Sequence, residues 1–371
     1  MARIIYALSG QGRGHTSRVM AISGELRRRG HDVIFCCGGT ARDILDAQDE
    51  PVLPVPVLRH VMKNNVLKHG RTLRNNWQKI RSAPEVIARL ADSFTDFRPD
   101  LLITDFEAFS ARAARRIGLP VLSFNHQQVV TETRYALPPR HWFDALLSWA
   151  AIDMIVPKNP VHLLLSSFFF PPLKNPLQTT LVPPIIRPAV QALRPHAGDH
   201  VLVYHNQPEG SDYVLDRLRQ VDARFIVYNF DPPEPPEAYP NLVFKQPSLD
   251  GFLDDLARSK AVVCTAGFTL ISEALYLGKP LLVLPNQGIF EQTLNALFLE
   301  RERLGRAVID RPLTVADVTT FLNSLDGFAE RLQNRPACGN KEAVACIEGV
   351  LSRHRPSART RPLLHPVTTP S

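Results

Sequence analysis

Short apolar runs alternate along this chain with longer stretches whose apolar residues recur every three or four positions. Residues 4–8 and 33–37 are apolar runs of strand length, and residues 18–28 between them place apolar side chains along one side of a helix. Gly30 ends this helical pattern. The same alternation continues as far as residue 124. Strands that alternate with helices in this way form a parallel sheet covered by helices, so the pattern predicts an α/β domain.

The alternation stops at a proline-rich stretch and then starts again. Prolines crowd residues 157–195, which is typical of a stiff and irregular connection. Strand-like and helix-like segments resume at residue 200 and continue to residue 302. We therefore expect two α/β domains, at 1–184 and 185–352, and a disordered basic tail at 353–371.

Length and composition agree with two globular domains. The chain has 371 residues, of which 44% are hydrophobic. It has no apolar run of about eighteen residues that would predict a membrane-spanning helix, and its first residues lack a signal-peptide pattern. Its five cysteines are odd in number and show no C-x-x-C spacing, so reduced thiols are expected rather than zinc ligands. These features predict a cytoplasmic protein.

Positive charge is concentrated in one segment. The formal net charge is +7, which favours anionic partners. Residues 51–84 contain no acid, and within them residues 59–81 mix Arg and Lys with Leu73, Trp77 and Ile80. Such a segment can lie on an anionic membrane surface that carries a lipid acceptor, or it can be a solvated loop and helix. Because no RNA- or DNA-binding motif accompanies the charge, nucleic acid is not an expected partner.

A glycine-rich turn follows the first predicted strand. Glycines at positions 10, 12 and 14 allow the backbone to approach a ligand, and the following helix start attracts anions. The turn ends in Gly14-His15-Thr16 rather than in Gly-Lys-Ser/Thr, and no acid closes the second strand, so neither an NTPase phosphate loop nor an NAD site is predicted. His15 is a candidate general base for an acceptor hydroxyl, or else a structural histidine.

A second turn lies within residues 261–285. A strand ends at Thr265-Ala266-Gly267 and a helix starts near Thr269, so that free backbone amides can cradle a pyrophosphate. Glu273, about one turn further on, can accept two ribose hydroxyls. Polar side chains at Glu291 and Gln292 can hold sugar hydroxyls. Ordinary α/β loops with capping residues are the alternative for either turn by itself.

Together these turns resemble those of GT-B glycosyltransferases similar to the bacterial peptidoglycan GlcNAc-transferase and the wider UDP-glycosyltransferase superfamily. The second half carries the resemblance through Ala266-Gly267, Glu273, Gly278-Lys279-Pro280, Pro285, Gln292 and Asn295-Ala296. The first half carries it through Gly12-Arg13-Gly14-His15 and Arg29-Gly30-His31. A group of uncharacterised bacterial and archaeal glycosyltransferase-like proteins shares Thr104-Asp105-Phe106-Glu107, Asn125-His126-Gln127 and Ala266-Gly267-Phe268-Thr269.

The resemblance implies a GT-B fold, in which two Rossmann-like domains face a cleft. It implies an inverting, metal-independent transfer of a sugar from a nucleotide diphosphate, such as a UDP-hexose or UDP-GlcNAc, to a lipid-linked or secondary-metabolite acceptor. No metal and no cofactor beyond this nucleotide-sugar co-substrate are expected. The implied catalytic residues are His15 and Asp105. The implied donor-binding residues are Gly267, Phe268, Thr269, Glu273, Phe244, Asn206, Glu291 and Gln292. The implied acceptor-binding residues are Gly12, Arg13, Gly14, Glu107, His126 and Gln127.

One departure from the resemblance concerns the phosphate site. Thr265 stands where plant-type members carry histidine and the peptidoglycan enzyme a basic residue, and Arg13 or Arg187 is the candidate replacement for that cation. Two other functions stay open. A non-hydrolysing UDP-GlcNAc 2-epimerase shares the fold but carries adjacent carboxylates where Ile271-Ser272 precede Glu273. A non-catalytic nucleotide-sugar-binding protein is the second alternative.

Overall fold

The computed structural model describes residues 1–11, 13–63, 66–196, 198–206, 211–246, 248–333 and 338–354. Gly12, residues 207–210 and residues 355–371 of the expected tail lie outside these ranges, and the side chain of Arg13 is not described.

The strands and helices follow one another in the predicted alternation. The strands are β1 (Arg3–Leu8), β2 (Asp32–Cys37), β3 (Val52–Pro54), β4 (Met62–Lys63), β5 (Val66–Leu67), β6 (Leu101–Asp105), β7 (Val121–Asn125), β8 (His162–Ser166), β9 (Thr179–Val182), β10 (His200–Tyr204), β11 (Arg224–Tyr228), β12 (Leu242–Lys245), β13 (Ala261–Cys264), β14 (Leu281–Val283) and β15 (Gly305–Ala307). The helices are α1 (Arg13–Arg28), α2 (Gly39–Asp46), α3 (His69–Arg81), α4 (Ala83–Phe97), α5 (Ser110–Arg116), α6 (Val129–Glu132), α7 (Trp142–Ile155), α8 (Pro188–Gln191), α9 (Asp212–Leu218), α10 (Leu249–Arg258), α11 (Phe268–Tyr276), α12 (Phe290–Arg301), α13 (Val315–Leu322), α14 (Leu325–Leu332) and α15 (Asn340–His354).

The first sheet has seven parallel strands in the order β3-β2-β1-β6-β7-β8-β9. Its central strands are buried on both faces, as their nearly continuous apolar runs predict. Helices α4 and α5 contribute to the core on one face, and helices α1 and α2 to the core on the other. The order changes direction between β1 and β6, and such a switch point opens a crevice at the carboxyl ends of parallel strands.

The second sheet has six parallel strands in the order β12-β11-β10-β13-β14-β15. Its switch point lies between β10 and β13. One of its two cores continues into the first half of the chain, because it also contains Val129, Phe168 and Phe169. The two parallel sheets confirm the predicted α/β fold class.

The last helix joins the first sheet and not the second. Residues Ala343, Val344, Ile347 and Val350 of α15 are buried in the same core as β1 and α1. This packing differs from the expected second domain at 185–352, because residues 340–352 contribute to the first core. The division near residue 184 otherwise stays a prediction.

A small antiparallel hairpin of β4 and β5 reaches the second half of the chain. The amide of Leu67 donates a hydrogen bond to the carbonyl oxygen of Gln287, at 3.1 Å. Of the helices within the described ranges, none is both long and apolar enough to cross a membrane.

Candidate active site

His15 and Asp105 meet at the switch point of the first sheet. Asp105 is the last residue of β6 and pairs with Leu8 at the end of β1, while His15 lies in the first turn of α1. Parallel strands present their carboxyl ends at one edge, so two residues separated by ninety positions (105 − 15 = 90) become neighbours.

The contact between them has the geometry of an imidazole oriented by a carboxylate. His15 Nδ1 lies 3.0 Å from Asp105 Oδ1, and Asp105 is fully buried. Burial by itself would raise the pKa of Asp105, but the nearby Arg18 and His15 hold that pKa below its usual value. Because the ionised carboxylate only accepts hydrogen bonds, Nδ1 of His15 is the donor in this contact, and in a neutral imidazole Nε2 is then the acceptor.

Arg18 completes this cluster, and the sequence reasoning did not identify it. Its Nη2 lies 2.7 Å from both carboxylate oxygens of Asp105, and its Nε lies 3.0 Å from Oδ2. Arg18 is 5% exposed. Its position one helical turn after His15 was the available signal, since residues three apart share a helix face.

The predicted pyrophosphate cradle lies at the start of α11. Gly267 is the N-cap residue, in an extended conformation, and it has no side chain with which to cap the helix. Among the residues that the structure describes, no other side chain accepts a hydrogen bond from the amides of Phe268 to Leu270. They form an anion-attracting end of the helix macrodipole.

The starts of α1 and α11 are in close contact. A Cβ atom added at Gly14 would lie 2.5 Å from Thr269 Oγ1, closer than real Cβ contacts allow. The Arg18 guanidinium lies 5.9 Å from the ring centroid of Phe268. The structure thus brings the expected catalytic pair and the Gly267–Thr269 turn close together, where the starts of α1 and α11 meet.

Glu273 lies in this region, but its carboxylate already has a partner. Arg187, in the connection that leads from β9 to α8, donates from Nη2 to Glu273 Oε2 at 2.8 Å. Arg187 Nε also lies 2.7 Å from Oε1, although it is not aligned as a hydrogen bond. Burial raises the pKa of Glu273, and Arg187 opposes that rise. In this state Glu273 is 3% exposed, and neither its carboxylate nor the Arg187 cation is left without a partner.

Other expected donor-binding residues lie on two loops of the second sheet. Gln292 Oε1 accepts a hydrogen bond from the amide of Asn286 at 2.9 Å, and Asn286 Nδ2 donates to Asn206 Oδ1 at 3.1 Å. These contacts join the loop after β10 to the loop after β14. Glu291 lies in the first turn of α12 and is half-buried. Phe244 lies on the outermost strand β12, where it packs against the core on one face of the second sheet, and its contact with the nucleotide base stays a prediction.

The expected acceptor-binding residues have three different surroundings. His126 is 1% exposed and stacks on Phe268, so it joins the two sheets. Gln127 is half-buried, and its Oε1 atom is buried without a hydrogen-bond partner. Glu107 caps α5, because its carboxylate accepts hydrogen bonds from the amides of Phe109 and Ser110, at 2.9 and 2.6 Å. Glu107 therefore has a structural use in the fold, and its acceptor-binding role stays a prediction.

The residues that the structure describes contain no group of three or more His, Cys, Asp and Glu side chains placed to hold a metal ion.

Several solved structures of glycosyltransferases are similar to this fold. The glycotransferase of kitacinnamycin is 18% identical, with a TM-score of 0.68 over 96% of this chain and 99% of that chain. MurG of Acinetobacter baumannii is 15% identical, with a TM-score of 0.64 over 94% and 100%. The spinosyn rhamnosyltransferase SpnG complexed with thymidine diphosphate is 14% identical, with a TM-score of 0.64 over 93% and 100%. These likenesses confirm the GT-B fold.

Sequence relatives have the same classification. An uncharacterized glycosyltransferase of Methanosarcina acetivorans is 24% identical over 327 residues, which is 82% of this chain and 83% of the relative. One from Methanosarcina mazei is 24% identical over 329 residues, which is 82% and 85%. The sequence model of the family described as glycosyl transferase family 1 matches residues 2–326. The chain belongs to glycosyl transferase family 1 and is a glycosyltransferase, as the resemblance implied.

Proposed function

We propose that this glycosyltransferase moves a sugar, with inversion, from a nucleoside diphosphate to an acceptor hydroxyl, with His15 as the general base. One observation carries the proposal. The helix start that holds His15 touches the helix start that offers uncapped amides, through Gly14 and Thr269. A nucleophile and a diphosphate leaving group can therefore be held on opposite walls of one crevice.

In the proposed step, His15 Nε2 accepts the proton of the acceptor hydroxyl. The oxygen attacks the anomeric carbon from the face opposite the diphosphate, a new C–O bond forms, and the bond to the diphosphate oxygen breaks. Asp105 holds the imidazole so that Nε2 faces the acceptor, and it stabilises the imidazolium that forms. The diphosphate leaves with the bonding electron pair, which inverts the anomeric centre.

The developing negative charge is proposed to be stabilised by the protein and not by a metal ion. The starts of α1 and α11 are in contact at Gly14 and Thr269, so the positive ends of both helices are proposed to act on the same diphosphate. Backbone amides at the start of a helix are a recurrent site for phosphate groups. Asn206, Glu291 and Gln292 are proposed to contact the sugar or the nucleoside.

We propose a UDP-sugar donor, with UDP-hexose or UDP-GlcNAc as the first candidates. A thymidine diphosphate donor is tested beside it, because the SpnG structure with this fold holds that nucleotide. Each class predicts binding of its free nucleoside diphosphate, UDP or dTDP, because the leaving group is the part that the amides of α11 hold.

A lipid-linked acceptor is favoured by the surface of α3. Leu73, Trp77 and Ile80 are 58%, 54% and 40% exposed and lie on one helix face. Arg71, Arg74 and Arg81 on the same helix are exposed as well. An apolar stripe with flanking arginines suits a peripheral contact with an anionic membrane, proposed here to be the inner face of the cytoplasmic membrane. A secondary-metabolite acceptor would need no such surface.

The experiment starts from isothermal titration of the full chain with UDP and with dTDP, followed by a mass-spectrometric screen of UDP- and dTDP-sugars against membrane and aqueous extracts. His15→Ala and Asp105→Asn should lower kcat/KM by about 10²–10⁴ while nucleotide binding persists. His162→Gln is the matched control, because His162 lies at the amino end of β8, and the candidate site lies at the carboxyl ends of the strands. Transfer should persist in EDTA.

Four results would contradict this proposal. Binding of neither nucleotide would remove the donor assignment. Full transfer by His15→Ala would remove the base, and nucleotide binding without transfer to any extract component would favour the non-catalytic alternative. Epimerised sugar in an NMR assay without acceptor would identify the 2-epimerase. The membrane contact is tested by comparing binding to vesicles of anionic and of neutral lipid. The Leu73→Ser/Trp77→Ser variant should bind the anionic vesicles less than the parent chain does.

A further inference from the structure

The Arg18 guanidinium binds the same carboxylate as His15, that of Asp105. Arg18 Nη2 is shared between both oxygens of Asp105 at 2.7 Å and lies 3.2 Å from His15 Nδ1. Asp105 Oδ1 therefore accepts hydrogen bonds from both Arg18 and His15. In a simple His–Asp pair, the full negative charge of the carboxylate acts on the imidazole. Here a buried cation of opposite charge lies in the same contact.

We infer that Arg18 is a positioning residue that fixes the Asp105 carboxylate toward His15 and limits the basicity of that histidine. The inference rests on the proposed function of His15 as the base. Orientation follows from the two-point contact of a planar guanidinium with a carboxylate, which holds Oδ1 toward Nδ1. The effect on basicity follows from charge, because the guanidinium offsets the attraction of Asp105 for an imidazolium.

Charged and titratable groups from several elements interact with this cluster of His15, Arg18 and Asp105. Asp105 lies on β6, Arg18 on α1, Tyr6 on β1 and Glu291 on α12, and His126 follows β7. Burial lowers the pKa of Arg18, but Asp105, Tyr6 and Glu291 together raise it above its usual value, so the guanidinium stays charged. Burial and Asp105 raise the pKa of Tyr6, which stays neutral. Arg18 and Asp105 are therefore fixed charges in direct contact with the imidazole.

This arrangement suits a general base that must be unprotonated at neutral pH. Removing the guanidinium while Asp105 stays ionised would leave an uncompensated carboxylate beside His15 and favour the imidazolium. Removing the carboxylate while Arg18 stays would do the opposite. The two substitutions therefore shift the titration of His15 in opposite directions, which a purely structural role of Arg18 would not do.

The test is a titration of His15 by long-range ¹H–¹⁵N NMR on the full chain labelled with ¹⁵N-histidine. The chain has 12 histidines, and His15→Gln identifies the resonance. In Arg18→Gln, the midpoint of the His15 titration should rise by about 1 pH unit or more, and in Asp105→Asn it should fall by about 1 unit. Arg18→Lys keeps the charge and should shift the midpoint by less than about 0.5 unit. Arg27→Gln, on the same helix and paired with Glu50, is the control.

A second comparison covers the case in which Arg18→Gln does not fold because the buried Asp105 carboxylate has lost its counter-ion. The comparison then uses Arg18→Gln/Asp105→Asn against Asp105→Asn, where loss of the guanidinium should again raise the midpoint by about 1 unit. Equal midpoints in either comparison overturn the inference. The titration needs no donor or acceptor. A shifted midpoint together with full transfer by His15→Ala would therefore reject the proposed base and keep the electrostatic role of Arg18.

Once a substrate pair is found, kinetics give a second readout. The acidic limb of the kcat/KM profile should move to higher pH in Arg18→Gln, in step with the NMR midpoint. In Arg18→Lys the limb should keep its position while kcat falls, because charge is retained and the two-point orientation is lost. An acidic limb that stays in place in Arg18→Gln would contradict the proposed effect of Arg18 on the basicity of His15.

Discussion

His126 and Phe268 stack face to face between the two sheets, with ring centroids 3.8 Å apart and ring planes 6° apart. His126 Nδ1 lies 2.8 Å from the carbonyl oxygen of Ser166, and Nε2 lies 2.8 Å from Asn295 Oδ1. The imidazole thus connects the end of β8 with helices α11 and α12. Because Phe268 is the first residue of α11, the stack helps to hold the uncapped amides in their place.

Stability should depend on pH through His126. Burial lowers the pKa of His126, more than its hydrogen bonds and Glu291 raise it. In the unfolded chain a histidine takes up a proton near pH 6.5. Below about that pH the unfolded state therefore binds more protons than the folded state, and the free energy of unfolding falls as the solution becomes more acidic.

Urea unfolding between about pH 5 and pH 8 measures this effect. The loss of stability on acidification should be smaller in His126→Gln than in the parent chain. Burial also lowers the pKa of His162, so His162→Gln is the control that retains the His126 contribution. Parallel curves for the parent and His126→Gln would show that His126 carries none of the dependence.

The contact between α1 and α11 should be sensitive to a single methyl group. Gly14→Ala places a Cβ atom 2.5 Å from Thr269 Oγ1, which should lower the free energy of unfolding by about 1–3 kcal/mol. Adding Thr269→Ala removes the clashing oxygen and should restore most of the loss. Gly24→Ala in the same helix meets nothing within 4 Å and should be neutral or stabilising. If denaturant unfolding gave Gly14→Ala the stability of Gly24→Ala, the close approach would be disproved.

The fold was predictable because parallel strands buried on both faces are nearly continuous apolar runs. The sheet against which α15 packs was not predictable in this way. Its apolar residues, such as Val344 and Ile347, indicate a helix with one buried side, but that pattern does not say which sheet covers it. The helix contributes to the core of the first sheet, although it follows the strands of the second along the chain.

The candidate site was predictable where glycine turns follow strands, at Gly14 and at Gly267. Arg18 was missed because an arginine in a helix usually faces solvent, and only the fold brings it to Asp105. The cap formed by Glu107 was not predictable, because a carboxylate beside a strand end looks the same in sequence whether it binds a ligand or caps a helix. The pairing of Glu273 with Arg187 depends on the path of the connection between the sheets, which periodicity does not describe.

Removing the Glu107 carboxylate should weaken the fold. Its oxygens accept hydrogen bonds from the amides of Phe109 and Ser110 at the start of α5. Glu107→Ala leaves these buried donors without partners and should cost about 1–2 kcal/mol in urea unfolding. The exposed Glu330, substituted by Gln, should change stability by less than about 0.5 kcal/mol. A Glu107→Ala chain as stable as the Glu330→Gln chain would show that the cap does not contribute.

Breaking the ion pair between Arg187 and Glu273 should destabilise the fold, because it leaves a buried charge without a counter-ion. Glu273 is 3% exposed and Arg187 17%, so Arg187→Met leaves a buried carboxylate without a counter-ion. The free energy of unfolding at about pH 7.5 should fall by about 3–5 kcal/mol, and Arg187→Met/Glu273→Gln should recover much of it. Arg311→Met breaks a comparable two-point pair with Asp317 at the surface, where Arg311 is 49% exposed. It should cost about 1 kcal/mol or less.

The penalty in Arg187→Met should also depend on pH, with a sign set by burial. Burial raises the pKa of Glu273 and Arg187 opposes the rise, so loss of Arg187 leaves a carboxyl group that takes up its proton at higher pH in the folded state. The folded variant then binds more protons than the unfolded chain, and its stability increases as the pH falls. Urea unfolding at about pH 7.5 and pH 5 should therefore show a smaller difference from the parent chain at the lower pH. An equal penalty at both values would mean that water or another cation compensates Glu273, and that the ion pair does not set the charge of this wall of the crevice.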